Sequence, residues 1–474
     1  MNPTFKPSLL KHSPVLFSSP IISKLVANES QLTSENASQG NNSIFRQEAE
    51  RYLLNNPNTK HIDVYLNDIN GSFRGKRMNI TSLLSLEKGA YFPQSVYSMD
   101  KEGKVQSTLN DDLAVNEPDR ICFPVAGTLR PCGHNPAENA QILLTMKNDQ
   151  GNPYSLEPRV ILANVLSKFH EHGLYPVIAP EIEFYLEDFQ NRNIQNSGCF
   201  HLAVPSEHTA FIEELETMAT RQNLPLSGIV CEAEAGQFEL NLQHSGQVVD
   251  LCESVLALRR LTSTVAHRFG FNAIFMAKPY SQMSGSGLHF HISLNDEQGN
   301  NVFASGDQNL NEMMRLCLAG MLNLMPASMA ILAPNVNSFR RLRKNLNEPL
   351  FSSWGVNQRS AALRIPCSGE AHRRIEYRLA GSDANPYLAM ATILTGMLYG
   401  LEKIEDDPVA DLTARSPVLP LFQQHALDEF RQCPYLTAAL GEAFSQQWIQ
   451  TKLSELTWFE SIVTPQESAG TASC

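Results

Sequence analysis

Positive charge is in short supply in this 474-residue chain: 37 Lys and Arg stand against 49 Asp and Glu, a formal net charge of -12. A nucleic-acid binder needs a basic surface to displace counterions, so no nucleic-acid partner is expected. No apolar run is long enough to cross a bilayer, and no membrane partner is expected. The nine cysteines are scattered without a Cys-x-x-Cys pair. That argues against a dithiol centre and for reduced thiols in a cytoplasmic protein. Residues 1–44 contain no arginine and no continuous apolar core. A secretory or mitochondrial leader is therefore not expected, and the segment reads as a mobile N-terminal extension.

What is present is the composition of a globular protein, 42% hydrophobic and 18% charged, with length for two or three domains. A helix-like stretch Ile44–Leu54 leads into the alternating run His61–Leu66, an Asn70-Gly71 pair, and Ser72–Arg77. Asn-Gly between alternating runs predicts a hairpin. With the run Gln141–Met146, ended at Gly151, residues 45–153 form a small strand-rich domain. Pro158, followed by Val160, Ile161, Val165, Leu166 and Phe169, predicts an amphipathic helix stopped by Gly173. That helix opens a second domain, 154–474, with further helices over Val248–Arg268, Leu310–Leu332 and Pro386–Ile404.

Four separated stretches alternate apolar residues with residues that hold metal ions or phosphates: Glu181-Ile182-Glu183-Phe184, Gln237-Phe238-Glu239-Leu240, Leu288-His289-Phe290-His291-Ile292 and Arg374-Ile375-Glu376-Tyr377-Arg378. A strand sends successive side chains to opposite faces. Glu181 with Glu183, His289 with His291, and Arg374 with Glu376 and Arg378 are therefore each expected to share a face. A solvated strand face normally carries mixed Thr, Lys, Ser or Gln, so this selection predicts a charged cavity walled by strands. Taken singly, each has a plainer explanation, since acidic faces and Arg-Glu ladders are common on surfaces.

In order along the chain, these stretches resemble the glutamine synthetase family over most of residues 45–404. The resemblance extends through Glu232 and Ala235-Gly236-Gln237, Phe275-Met276-Ala277-Lys278-Pro279, Gly285-Ser286-Gly287, Asn337-Ser338-Phe339-Arg340-Arg341, Asn357-Gln358-Arg359-Ser360, Arg364-Ile365-Pro366 and Ala384-Asn385-Pro386-Tyr387. It implies an α+β chain: a small N-terminal β-grasp-like domain, then a catalytic domain with an antiparallel strand-lined active site flanked by helices. It also implies a homo-oligomer of stacked hexameric rings. The implied reaction joins an amine to the side-chain carboxyl of glutamate, with ATP as co-substrate, through a γ-glutamyl phosphate. Glutamate, the amine and ATP are the small-molecule partners.

Such chemistry needs cations where phosphoryl charge accumulates. The resemblance implies that Glu183, Glu232 and Glu239 hold one Mg²⁺ or Mn²⁺, and Glu181, His289 and Glu376 another. Five carboxylates and one imidazole suit these ions better than zinc. His291, Ser293, Arg359 and Arg364 are implied on the nucleotide, and Gly285, Arg341, Arg359 and Arg378 on glutamate, with Arg359 and Arg378 as catalytic groups. Planar guanidinium forks suit the oxyanions involved.

The acceptor is a separate question. Ammonia-using members carry an acid in a Phe-Asp-Gly-Ser loop and another six residues after the carboxylate-binding arginine. This chain has Phe92-Pro93-Gln94-Ser95 and Asn347 there. Ammonium must be held as a cation and deprotonated, so losing both acids favours another amine. Tyr91-Phe92-Pro93 with Ser95-Val96 and Met99-Asp100, Trp354-Gly355, and Ala361 with Leu363–Cys367 look most like the γ-glutamylpolyamine branch, which uses putrescine or a related amine. The chain departs from that branch at Lys344-Asn345, where Pro-Gly is usual, and Glu348 lies one position past Asn347. The alternatives are a glutamine synthetase using ammonia and a non-catalytic relative in a structural or sensing role. The second is expected to lose ligands that this sequence retains.

Overall fold

The expected hairpin forms at Asn70-Gly71. Strand β1 (His61–Asn67) pairs antiparallel with β2 (Phe73–Asn79), His61 opposite Asn79. Gly71 adopts φ +77, a conformation open to glycine, and Asp68 Oδ1 accepts the backbone N–H groups of Asn70 and Ser72. The structure is a computed structural model and describes residues 37–106, 117–189, 199–200, 206–304, 310–342, 351–404 and 418–471. Most of the 1–44 extension lies outside the described residues, as do Lys344, Asn345, Asn347 and Glu348.

Strands β3 (Ala90–Pro93), β4 (Asp119–Pro124), β5 (Arg130–Pro131) and β6 (Asn139–Met146) complete the first sheet, ordered β2-β1-β6-β4-β3 with β5 on β6. The β1–β6 pair is parallel.

The second sheet contains β7 (Tyr175–Asp188), β8 (Leu226–Cys231), β9 (Gln237–Leu242), β10 (Phe271–Ile274), β11 (Leu288–Asn295), β12 (Trp354–Val356), β13 (Leu363–Ile365) and β14 (Ile375–Tyr377). Its order is β12-β13-β14-β11-β7-β9-β8, with β10 also on β7. All its pairings are antiparallel except β12–β13. Along β7, Ile178, Ile182 and Phe184 are buried, while Glu181 and Glu183 lie half-buried on the other face.

The first predicted helix, expected over Ile44–Leu54, runs over Ala37–Asn55 and so begins inside the expected extension; the other four end within two residues of their expected limits: Pro158–Glu171, Val248–Arg268, Glu312–Leu332 and Pro386–Lys403. Asn385 caps the last, its side chain accepting from Tyr387 N and Leu388 N. Contrary to the expectation from sequence, Glu312–Leu332 is long and apolar enough to cross a membrane by length and composition. In the fold 78% of its apolar window is buried, so the core takes up its apolar surface. It meets Pro386–Lys403 at glycines. A Cβ on Gly320 would lie 2.2 Å from Gly396 O, and one on Gly400 would lie 1.9 Å from Leu316 O.

One apolar cluster runs through both sheets, from Ile62 and Val64 to Ile182, Phe290, Met325 and Ile393. At their junction Glu253, 3% exposed, accepts from Tyr65 OH (3.1 Å), Asn67 Nδ2 (3.2 Å) and Tyr387 OH, with Arg130 Nη2 at 3.7 Å. A buried carboxylate is tolerated when so surrounded. No disulfide joins the described cysteines.

Candidate metal and phosphate site

The open face of the second sheet gathers the acidic and imidazole side chains. Across β7–β9, Glu183 stands opposite Glu239 and Glu181 opposite Asn241. Across β7–β11, Glu181 stands opposite His289. Across β11–β14, His291 stands opposite Glu376, which in turn faces Arg364 of β13. Glu232 comes from the turn after β8. There Glu232 N donates to Gln237 O, and Gly236 at φ +74 lets the chain reverse beside Leu186 O.

Three overlapping groups have ligand atoms all within 4.8 Å of one another: Glu183/Glu232/Glu239, Glu181/Glu239/His289 and Glu181/His291/Glu376. The first is the triad expected from the sequence. Of the second expected triad, Glu181 belongs to both remaining groups, shared with His289 in one and with Glu376 and His291 in the other. The register across β11–β14 accounts for the latter, because it sets Glu376 opposite His291.

These residues fit hard divalent cations. Glu239 is pushed up to about 9, first by burial and then by the charges of Glu181, Glu183 and Glu232. Glu232 is also raised by burial, with Arg359 opposing and Glu181 reinforcing the shift. Burial, followed by the charges of Arg378 and Arg341, holds His289 well below its ordinary value, so its imidazole is neutral and able to coordinate. His289 Nδ1 lies 3.9 Å from Glu181 Oε2 and 4.0 Å from Glu183 Oε1. A cation about 2.1 Å from each donor spans such a gap.

Cationic side chains flank the cluster. Glu376, 1% exposed, accepts from Arg364 Nη1 at 2.7 Å and from Arg378 Nη1. Burial raises its pKa, but Arg378, His291 and Arg364 outweigh it and the net shift is downward. Arg341 is 3% exposed; Nη1 donates to Leu379 O and Ala380 O, and Nη2 to Arg378 O. Gly285 lies against it: a Cβ there would be 2.6 Å from Arg341 Cγ. Arg359 is exposed at the edge. From His291 and Glu181 a cavity of about 940 Å³ extends past Ser293 and Asn295 to Asn300 and His372.

Several contacts, here and in the first sheet, were not foreseen from the sequence. Arg374 is not on the strand with Glu376, because β14 spans only three residues. Arg374 Nε instead donates to His291 Nδ1 (3.1 Å), leaving Nε2 to face Glu181 Oε1 at 3.0 Å. Glu183 Oε2 accepts from Gly287 N, and Glu234 holds Ser284. Ser95, in the loop that lacks an acid, donates its hydroxyl to Glu117. The carboxylate contacts in this set carry no periodic signal, since each depends on a fold-level approach.

The sequence profile of the glutamine synthetase catalytic domain matches residues 155–470. The chain is 41% identical over 445 residues to γ-glutamylputrescine synthetase PuuA of Escherichia coli K12, covering 90% of this chain and 94% of that protein. It is 28% identical over 428 residues to a glutamate–isopropylamine ligase of a Pseudomonas species, covering 85% and 92%. A solved structure of GmaS with ADP superposes with TM-score 0.77 at 22% identity, over 91% of this chain and 99% of that one, which bears on the fold. The carboxylate-walled sheet thus lies within the span of a matching catalytic domain, and the chain belongs to the glutamine synthetase family.

Proposed function

We propose that the protein is an ATP-dependent glutamate–amine ligase that forms a γ-glutamyl amide, with putrescine or a related amine as acceptor. The observation that carries this is the convergence of Glu181, Glu183, Glu239 and His289 on one sheet face with Glu232 from the adjoining turn, where burial and then the neighbouring carboxylates push Glu239 up to about 9. When bound, Mg²⁺ or Mn²⁺ at Glu183/Glu232/Glu239 and at the sites shared by Glu181, His289 and Glu376 supplies charge neutralisation and Lewis acidity.

The chain's own groups then divide the work. Arg341, anchored by three backbone carbonyls, holds the α-carboxylate of glutamate beside Gly285. Arg378, leaning on Glu376, approaches glutamate from the other side. His291 and Ser293 border the 940 Å³ cavity, which suits a nucleotide entering with its phosphates toward the carboxylates. Arg364 and the exposed Arg359 neutralise the transferring phosphoryl group. The amine nitrogen then attacks the carbonyl carbon of the γ-glutamyl phosphate, the acyl C–O bond breaks, inorganic phosphate leaves and the nitrogen gives up a proton. The loop Phe92-Pro93-Gln94-Ser95 has no acid to bind ammonium, and the relatives named for putrescine and isopropylamine favour an organic amine.

The same reading extends to the architecture. Residues 45–153 suit a β-grasp-like domain, supported by the parallel β1–β6 pair at the middle of a mixed sheet, and residues 154–474 form the catalytic domain. Stacked hexameric rings and a cytoplasmic location follow from the family reading, and light scattering tests the rings.

The deciding experiment is phosphate release with glutamate, ATP and Mg²⁺ while putrescine, isopropylamine and ammonium are exchanged. Faster turnover with putrescine supports the proposal. Equal or better turnover with ammonium overturns it in favour of glutamine synthesis.

A further inference from the structure

The backbone strap 284–287 is tied to the elements that carry the carboxylates. Glu234 Oε1 accepts both Ser284 N (3.0 Å) and Ser284 Oγ (3.1 Å). Tyr185 OH donates to Ser284 O at 2.9 Å, Gln237 Nε2 to Gly285 O at 2.9 Å, and Gly287 N to Glu183 Oε2 at 2.7 Å. These anchors come from β7, from the Glu232–Gln237 turn and from the start of β9, which also provide Glu183, Glu232 and Glu239.

On its other side the strap presses on Arg341 and His289. A Cβ on Gly285 would sit 2.6 Å from Arg341 Cγ, and one on Gly287 would sit 2.7 Å from Arg341 Nη2 and 2.5 Å from His289 Nε2. Close packing of this kind transmits displacement instead of absorbing it. The carboxylate triad and Arg341 are therefore joined by one short path. Glu234 belongs to that path and to none of the three clustered ligand groups.

We propose that Glu234 is a positioning residue that couples the two sites: by holding Ser284 it keeps the strap seated on Arg341, so that divalent-cation binding and glutamate binding tighten each other. The proposal rests on the reading of Arg341 as the glutamate carboxylate site. Coupling of this sort is reciprocal and commonly amounts to about 5- to 150-fold in affinity.

The test is calorimetric titration of Mn²⁺ into the full-length protein, with and without saturating glutamate, alongside direct titration of glutamate. In the wild type, glutamate is expected to tighten Mn²⁺ by about tenfold. Glu234→Ala should leave Mn²⁺ affinity without glutamate within about twofold and reduce the coupling to below about twofold. Glu234→Gln keeps an oxygen that accepts both Ser284 donors and should retain most of the coupling. Ser284→Ala, which removes one donor from the opposite side, should lose part of it. Full coupling in Glu234→Ala, or an equal loss of Mn²⁺ affinity with and without glutamate, overturns the proposal. So does a wild type that binds glutamate with no effect on Mn²⁺. A wild type that gives no glutamate heat at all overturns the Arg341 reading, and the coupling with it.

Discussion

Glu183 and Glu239 face each other directly across the β7–β9 ladder, a placement in which two carboxylates repel. In the folded protein Glu239 keeps a proton up to about 9, whereas an ordinary glutamate releases it near 4.5. The folded state therefore binds more protons than the unfolded chain in that window, and this group's contribution to stability falls as pH rises through it. Metal-free protein is expected to lose thermal stability from pH 5 to pH 9, and saturating Mn²⁺ should flatten the slope. Mn²⁺ binding near pH 7.5 should also release protons, seen as a dependence of calorimetric enthalpy on buffer. Identical pH profiles with and without Mn²⁺ would count against a cation at this pair.

Glu376 holds both Arg364 and Arg378 while almost wholly buried. Glu376→Ala removes the carboxylate that both largely buried guanidiniums contact, a loss of about 3 kcal/mol in urea denaturation. Glu376→Gln keeps an acceptor and should lose less. Both are expected to abolish phosphate release and weaken Mn²⁺ binding. A wild-type rate in either variant would remove Glu376 from the site.

How far the site could be read from sequence depended on element length. In β7 and β11 the period-2 alternation runs long enough that the chemistry-bearing face is evident from Glu181-x-Glu183 and His289-x-His291 alone. In β14 it does not. Arg374, Glu376 and Arg378 look like one face, yet the strand ends at Tyr377 and Arg374 turns to His291. Inter-strand register is also absent from a single strand's pattern, so the pairing of Glu376 with His291 emerged only in the fold. Glu232 lies in a turn, where no periodicity applies. The helix limits were legible because Pro158, Gly173 and Asn385 mark them chemically.

Glycine at the crossing of Glu312–Leu332 with Pro386–Lys403 is a packing requirement. A methyl on Gly400 would fall 1.9 Å from Leu316 O and 3.1 Å from Gly320 N, both of them backbone atoms that cannot rotate away. Gly400→Ala should destabilise by about 1–3 kcal/mol despite the better helix propensity of alanine. Chemical denaturation checks this. A stabilised variant would mean that the two helices separate more readily than their contact suggests.

Arg374 orients the ring of His291. Its Nε donates to Nδ1, an arrangement that favours the tautomer with its hydrogen on Nε2, the nitrogen facing Glu181. The guanidinium is also tied to His372 O, at the rim of the cavity of about 940 Å³ proposed for the nucleotide. Arg374→Ala frees the ring to exchange tautomers and rotate, and loss of such an outer partner typically costs about 10- to 100-fold in affinity or activity. The expected outcome is an increase in KM for ATP within that range, with a smaller change in KM for glutamate, because Arg341 is held by separate carbonyls. Arg374→Lys supplies charge without the fixed planar donor and should recover little. If Arg374→Lys matches the wild type, the residue acts through charge alone, and the tautomer argument fails.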